Sequence, residues 1–324
     1  MPLLMKNRVV AVKHETTLGT DSAPTATDAT MNAYDVQMVP TLEYIERMQQ
    51  GNASKIKGEI GTQHGTCTFK TPMSGNGAAV TAGWMTTLLG ACGFTSVTDT
   101  WTPNTAAPNT SAGITFNHTA TVATYSGKDP TNARREAIVG AMGSFKMNFT
   151  SGKLVEIEWT FTGPWAAVTD APMLAPTYDT VRPIRFGLAT LTIAGAAPGC
   201  VSNLTIDIGN EITLRECATN STGYETAIVT NRNIKCTWDP ESRLVATEDV
   251  FGSWLLGTEQ AFSLALNGYN AAGSIVDVIT IAMPKAQRSN IQPGDRGGVQ
   301  VDQIEFSANA SAAAGDDELT IDFS

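Results

Sequence analysis

The sequence predicts a mainly β protein built from two similar units with one short helix each, and three observations lead there. The first is an internal echo. Gly83-Trp84-Met85-Thr86-Thr87-Leu88-Leu89-Gly90 in the first half is answered by Gly252-Ser253-Trp254-Leu255-Leu256-Gly257 in the second. Each follows a strand-like run (66–70 and 234–238) and is followed by alternating strands, ending in 152–161 and 298–306, where Phe161 and Phe306 close the pattern. A long-period repeat changes the fold assignment and is weighed before any motif. Two β-rich units suit a ring of alternating equivalent parts. The second observation is composition: 42% hydrophobic and 16% charged residues over 324 positions, enough to bury a core in each of two ordinary domains. The third is strict apolar/polar alternation, clearest at 206–214 and 318–323.

The elements follow in order. Residues 8–13 form a first strand. Residues 16–30, rich in Thr, Ser, Asp and Ala and holding Pro24, form an extended arm. A short strand at 34–39 precedes a strand pair at 54–60 and 66–70, with a bend or turn around 58–65. Residues 72–77 form a loop, and 79–91 a helix that Gly93 stops. A Thr/Asn/Pro-rich loop at 95–113 leads to strands at 114–125, 136–142, 144–149 and 154–161. Four prolines between 163 and 183 mark a semi-rigid linker, which divides the chain into units 1–165 and 185–324 around a segment 166–184. The second unit opens with 185–193 and a long strand or hairpin over 204–215, where Asp207 and Glu211 share the polar face. Strands at 226–230 and 234–238, a helix at 244–256, and strands at 261–266, 275–282 and 300–306 complete it. The terminal alternating run, 318–323, either pairs within its own domain or adds to a neighbouring chain.

Several functions are excluded or weakened. The formal net charge of −10 is the reverse of a nucleic-acid reader's basic footprint, although an acidic wall lets DNA slide past without sticking. Five cysteines without CxxC spacing do not make a disulfide framework, and no signal peptide or membrane span is visible at the N-terminus or elsewhere. His14, His64 and His118 lack metal-binding spacing. No nucleophile elbow or phosphate loop occurs. Gly294-Asp295-Arg296-Gly297-Gly298 precedes a strand rather than a helix and reads as a hairpin turn. Asp316-Asp317-Glu318 lacks the spaced oxygens of a calcium loop. Glu156 and Glu158 share a strand face as a glycosidase dyad would, but any β-rich acidic protein offers such pairs; Trp159 and Trp165 could form a sugar platform, but core or interface packing is the favoured reading. Neither a catalytic residue, a metal ligand nor a cofactor site is expected.

The residues also resemble a family. The block Leu191-Thr192-Ile193-Ala194-Gly195, Val201-Ser202-Asn203-Leu204-Thr205-Ile206-Asp207-Ile208-Gly209-Asn210-Glu211, Asn220 to Glu225 and Ile228 to Arg232 is similar to the major tail tube proteins of long, flexible-tailed bacteriophages. So are the opening, Arg8-Val9-Val10-Ala11-Val12 with Glu15-Thr16-Thr17-Leu18-Gly19-Thr20-Asp21, and Gly83-Trp84 through Phe94. The resemblance runs over most of the chain. It implies a β-sandwich or rolled sheet with one flanking helix per unit, two such tube-type domains contributing to an inter-subunit β-barrel, and rings stacked into a tube through which DNA leaves the virion. It also implies tape measure, tail terminator and tail tip proteins as partners, no membrane, no cofactor, and synthesis in the host bacterial cytoplasm.

On that reading the partner is the chain itself. If both units line the lumen, three chains close a pseudo-sixfold ring, the favoured count; if only one does, six are required. Asp207, Glu211, Thr119 and Thr121 are the expected lumen-facing residues. Thr16, Asp21, Pro72 and Asn76 are candidates for ring-to-ring contact, and Leu319, Ile321 and Phe323 for contact between subunits. The competing class is a carbohydrate-binding or glycosidase-like β-sandwich, which would stay small in solution and bind sugar.

Overall fold

The computed structural model describes residues 3, 5–49, 51, 54–75, 81–106, 118–127, 132–269 and 273–324. The chain is mainly β. Its first half holds β1 (Arg8–His14), β2 (Tyr34–Arg47), β3 (Ile56–Pro72), helix α1 (Gly83–Ala91), β4 (Phe94–Val97), β5 (Thr100–Pro103), β6 (Ala120–Gly127), β7 (Ala133–Thr150) and β8 (Glu156–Pro164), with the short β9 (Thr169–Ala171) behind it. The second half holds β10 (Thr190–Ile193), β11 (Val201–Asp207), β12 (Asn210–Glu216), β13 (Tyr224–Arg232), β14 (Lys235–Pro240), helix α2 (Val250–Leu255), β15 (Glu259–Tyr269), β16 (Ile275–Arg296), β17 (Val299–Asn309) and β18 (Thr320–Phe323).

Sixteen of these strands form one antiparallel sheet, and β12–β13 is a separate hairpin. In each half the strands stand in the same lateral order. The first half reads β1-β6-β7-β8-β3-β2 and the second β10-β15-β16-β17-β14-β11, with a helix before β6 and before β15. The registers coincide at the residue level: Phe161 stands opposite Cys67 and Trp159 opposite Phe69, as Phe306 stands opposite Cys236 and Ile304 opposite Trp238. Cys67-Thr68-Phe69 and Cys236-Thr237-Trp238 therefore occupy equivalent places, both cysteines fully buried.

The boundary between the halves does not interrupt the sheet. Residues 146–150 of β7 pair with 203–207 of β11, Met147 opposite Ile206. One apolar core runs under both halves, from Val10, Phe69 and Trp159 to Trp238, Phe262 and Phe306. Such aromatic side chains each bury about 150–250 Å² and dominate the stabilisation.

Several expected breaks are continuous strand. The turn expected near 58–65 lies inside β3, which pairs with β8 through His64, Gly65 and Thr66. Gly65 is there because Trp165 covers it: a Cβ would come 2.6 Å from that indole. Strands expected at 136–142 and 144–149 are the single β7, and the loop at 95–113 contains the hairpin β4–β5. The long strand expected over 204–215 is two strands. Gly209, at φ +59°, turns the chain between them, in a backbone region where glycine carries no steric cost. The Pro-rich segment contains β9, which pairs with β7. Parts of the expected loop at 72–77, helix at 79–91 and strand at 114–125 lie outside the described residues.

Candidate functional site: the polar sheet face and its open edges

One face of the sheet is committed to the core, and alternation puts polar side chains on the other. Cross-strand register lines those polar residues up. Lys70 stands opposite Glu158, Glu158 opposite Lys146, Lys146 opposite Asp207, Asp207 opposite Lys235, and Lys235 opposite Ser307. A belt of alternating charge thus crosses five adjacent strands, from Lys70 on β3 to Lys235 on β14, and ends against Ser307 on β17. Lys70 Nζ lies 3.0 Å from Glu158, and this hydrogen-bonded partner raises the lysine's pKa. Lys235 Nζ lies 2.9 Å from Glu305, whose carboxyl is held below its usual range by that bond. These pairs are partly solvated and count for little in stability; they set the pattern of charge on the face.

Two grooves mark equivalent places on this face. One of ≈ 800 Å³ is lined by Gln37, Thr68, Lys70, Glu158 and Thr160. The other, ≈ 370 Å³, is lined by Thr205, Thr237, Asp239, Gln303 and Glu305. Each residue of the first set has its counterpart in the second through the shared register.

Among the described residues the sheet is open. β2 pairs only with β3, and beyond Gln287 the strand β16 pairs on one side only, with β17. The eight-strand path β2-β3-β8-β7-β11-β14-β17-β16 therefore has an unpaired edge at each end. An exposed strand edge is a template for another strand. Beyond Val39, the outer part of the β2–β3 hairpin exposes Leu42, Tyr44, Ile45 and Ile60.

Asp207 lies on the polar face, in the charge belt, and caps its own turn by accepting from Gly209 N at 2.9 Å. Glu211 is exposed on β12, in the separate hairpin, so the shared strand face expected for the two carboxylates does not exist. Thr119 and Thr121 do not face open space. Both are fully buried and donate to Glu15, Thr119 at 2.8 Å and Thr121 at 3.0 Å. Glu15 also accepts from Gly19 N at 2.9 Å and Gly140 N at 2.7 Å. Burial pushes the Glu15 carboxyl up against these four bonds, which act in the other direction. This knot ties the arm after β1 to β6 and β7. The run His14-Glu15-Thr16-Thr17, polar residues directly after an apolar strand, is the only trace of it in the sequence.

Thr16 is exposed, and Asp21 is ion-paired with Arg135 at 2.7 Å. Pro72 is the last residue of β3, opposite Glu156, rather than part of a loop; Asn76 lies outside the described residues. Leu319, Ile321 and Phe323 are buried in their own chain. β18 is filled on both sides, by β16 and by β5 with Ile321 opposite Trp101. Of the two pairings left open for this strand, the structure has the internal one. Trp159 and Trp165 are buried and offer no sugar platform. Among the described residues no group of His, Cys, Asp or Glu side chains could hold a metal ion.

The fold thus defines a mainly β chain whose distinguishing surfaces are a charge-patterned face and two open edges. Over residues 5–323 it matches the family described as phage tail tube protein, and it belongs to that family. It is a structural component of the virion tail. No curated protein matches the chain. Among the described residues no helix is long and apolar enough to cross a membrane.

Proposed function

We propose that the chain assembles with itself into stacked rings that form the tail tube, and that DNA passes down the lumen without being read or chemically altered. The observation that carries this reading is the eight-strand path made of two like-ordered quartets, in which, among the described residues, the outer edge of β2 and the edge of β16 beyond Gln287 have no partner strand. A head-to-tail contact whose rotation closes makes a ring. Units 1–165 and 185–324, joined by 166–184, each supply one quartet, so three chains complete a pseudo-sixfold ring. The polar face, Asp207 included, lines the lumen. The net charge of −10 supports a chain that does not bind phosphates at large, and on the lumen face each lysine of the belt stands opposite a carboxylate. Glu211 and the exposed Thr16 and Asp21 remain available for contacts around the lumen or between rings. A tape measure protein inside the tube, and terminator and tip proteins at its ends, are the partners this role requires.

Electron microscopy of the purified protein, concentrated at moderate salt, tests the reading. Hollow tubes or rings with threefold symmetry are the expected result. A true sixfold ring of six chains would remove the two-unit lumen. Particles that stay single across salt and concentration would remove self-assembly, and binding in a glycan screen would then favour the sugar-binding class.

A further inference from the structure

The chain contains a worked example of the joint it needs. Within one chain, β11 of the second half pairs with the outer edge of β7 in the first. β2 is the counterpart of β11: Met38 stands opposite Cys67 as Ile206 stands opposite Cys236. β16 is the counterpart of β7: Ile291 stands opposite Ile304 as Phe145 stands opposite Trp159. The edge of β7 that receives β11 is therefore the edge of β16 that, among the described residues, receives nothing.

A second feature of the internal joint extends the match. Four residues beyond Ile206, Asn210 reaches the end of α1, where its Nδ2 donates to the Cys92 carbonyl at 2.8 Å. At that end of α1, the last helical residue Ala91 and its cap Cys92 are both 0% exposed. The residues in the same places on α2, Leu255 and Leu256, are 87% and 81% exposed. Four residues beyond Met38 stands Leu42, also exposed. Two apolar patches lie bare on one chain, Leu255 and Leu256 at the end of α2 and Leu42 on β2, and the internal joint brings the residues just past its paired segment to the end of a helix.

We propose that a second copy of this chain docks in the register of the internal joint. Residues 36–39 of one copy run antiparallel to residues 292–295 of the next, with Met38 opposite Pro293 and Val39 opposite Gln292. The β2–β3 hairpin then carries Leu42 onto Leu255 and Leu256, as the β11–β12 bend carries Asn210 onto α1. This rests on the tube reading and adds to it the residues and the register. Pro293 is tolerated at a strand edge, and at that position the joint has only the backbone hydrogen bond that the incoming strand donates, since proline offers no N–H.

The test is a disulfide across the joint. Val39→Cys and Gln292→Cys are placed together in a chain also carrying Cys200→Ser and Cys217→Ser. A control carries Val39→Cys with Asn290→Cys, two residues out of register on the same face. A disulfide needs Cβ atoms about 3.5–4.5 Å apart, so oxidation should link the first pair about tenfold more than the control. The products should be covalent species of two and three copies, and a mixture of two chains that each carry one of the introduced cysteines should yield no species larger than a linked pair, since Cys67, Cys92 and Cys236 are buried. Leu255→Asp, at an exposed site that leaves the fold intact, should shift the assembled peak on a sizing column towards single chains. Tubes in micrographs with linkage only in the control pair, or with none, would overturn the register and leave the tube standing. Linkage without tubes would keep the docking and remove the tube.

Discussion

His14 and Glu15 are adjacent, both buried, and titrate in opposite senses. Burial, and to a lesser degree neighbouring His118, holds the His14 imidazole down at about 3, so the folded chain keeps it neutral. Below pH 6.5 the unfolded chain takes up a proton that the fold refuses, and stability is lost as pH falls from 6.5 towards 3. Glu15 is raised by burial; its contribution is complete below its ordinary value of 4.5 and declines as pH rises through its folded pKa. The expected result is that His14→Asn flattens the fall in melting temperature between pH 6.5 and 4. An unchanged acid slope would move the responsible proton elsewhere. Alternation made Thr119 and Thr121 look like one solvated face. Every residue of β6 is buried: on the face that periodicity assigns to water, the arm after β1 lays Glu15 over Thr119 and Thr121, and an apolar cluster with Ala29, Ala166 and Met173 covers Ala123 and Tyr125. Periodicity reports which residues share a face, not what covers it.

Strands were legible wherever apolar residues alternate. Register and strand continuity were not. Gly61 and Gly65 resemble turn residues, but Gly65 sits mid-strand to admit Trp165, a contact between positions 100 residues apart in the sequence. Gly65→Ala should cost about 2 kcal/mol, a typical overpacking penalty, read as a lower urea midpoint with an unchanged slope. No loss would mean that the indole can shift without cost. The charge belt was hidden for a related reason. Glu158, Lys146 and Asp207 are plain in their strands, and only the pairing of β8, β7 and β11 makes them neighbours. The break at Gly209 was hidden too, since the apolar alternation carries on past it.

The ends of the chain decide how the whole molecule closes. β18 bridges β16 to the hairpin β5–β4, joining the last residues to the first half. Removing 318–324 should expose that joint and cost several kcal/mol, since Leu319, Ile321 and Phe323 are all buried and each is worth about 1.5–3 kcal/mol. The chain would lose stability as a monomer, measured by thermal unfolding at low concentration. A truncated chain that melts normally but fails to associate would return this strand to the role of an inter-subunit contact.

The internal β7–β11 joint has a consequence for assembly itself. It is made once, when the chain folds, at a concentration fixed by the chain's own connectivity rather than by the solution. If three chains close a ring of six joints, half of them are already in place and carry no further loss of translational freedom. Dilution can act only on the other half, so such a tube would come apart into whole chains and never into single units. Its growth would also need half as many productive collisions as a tube built from separate units.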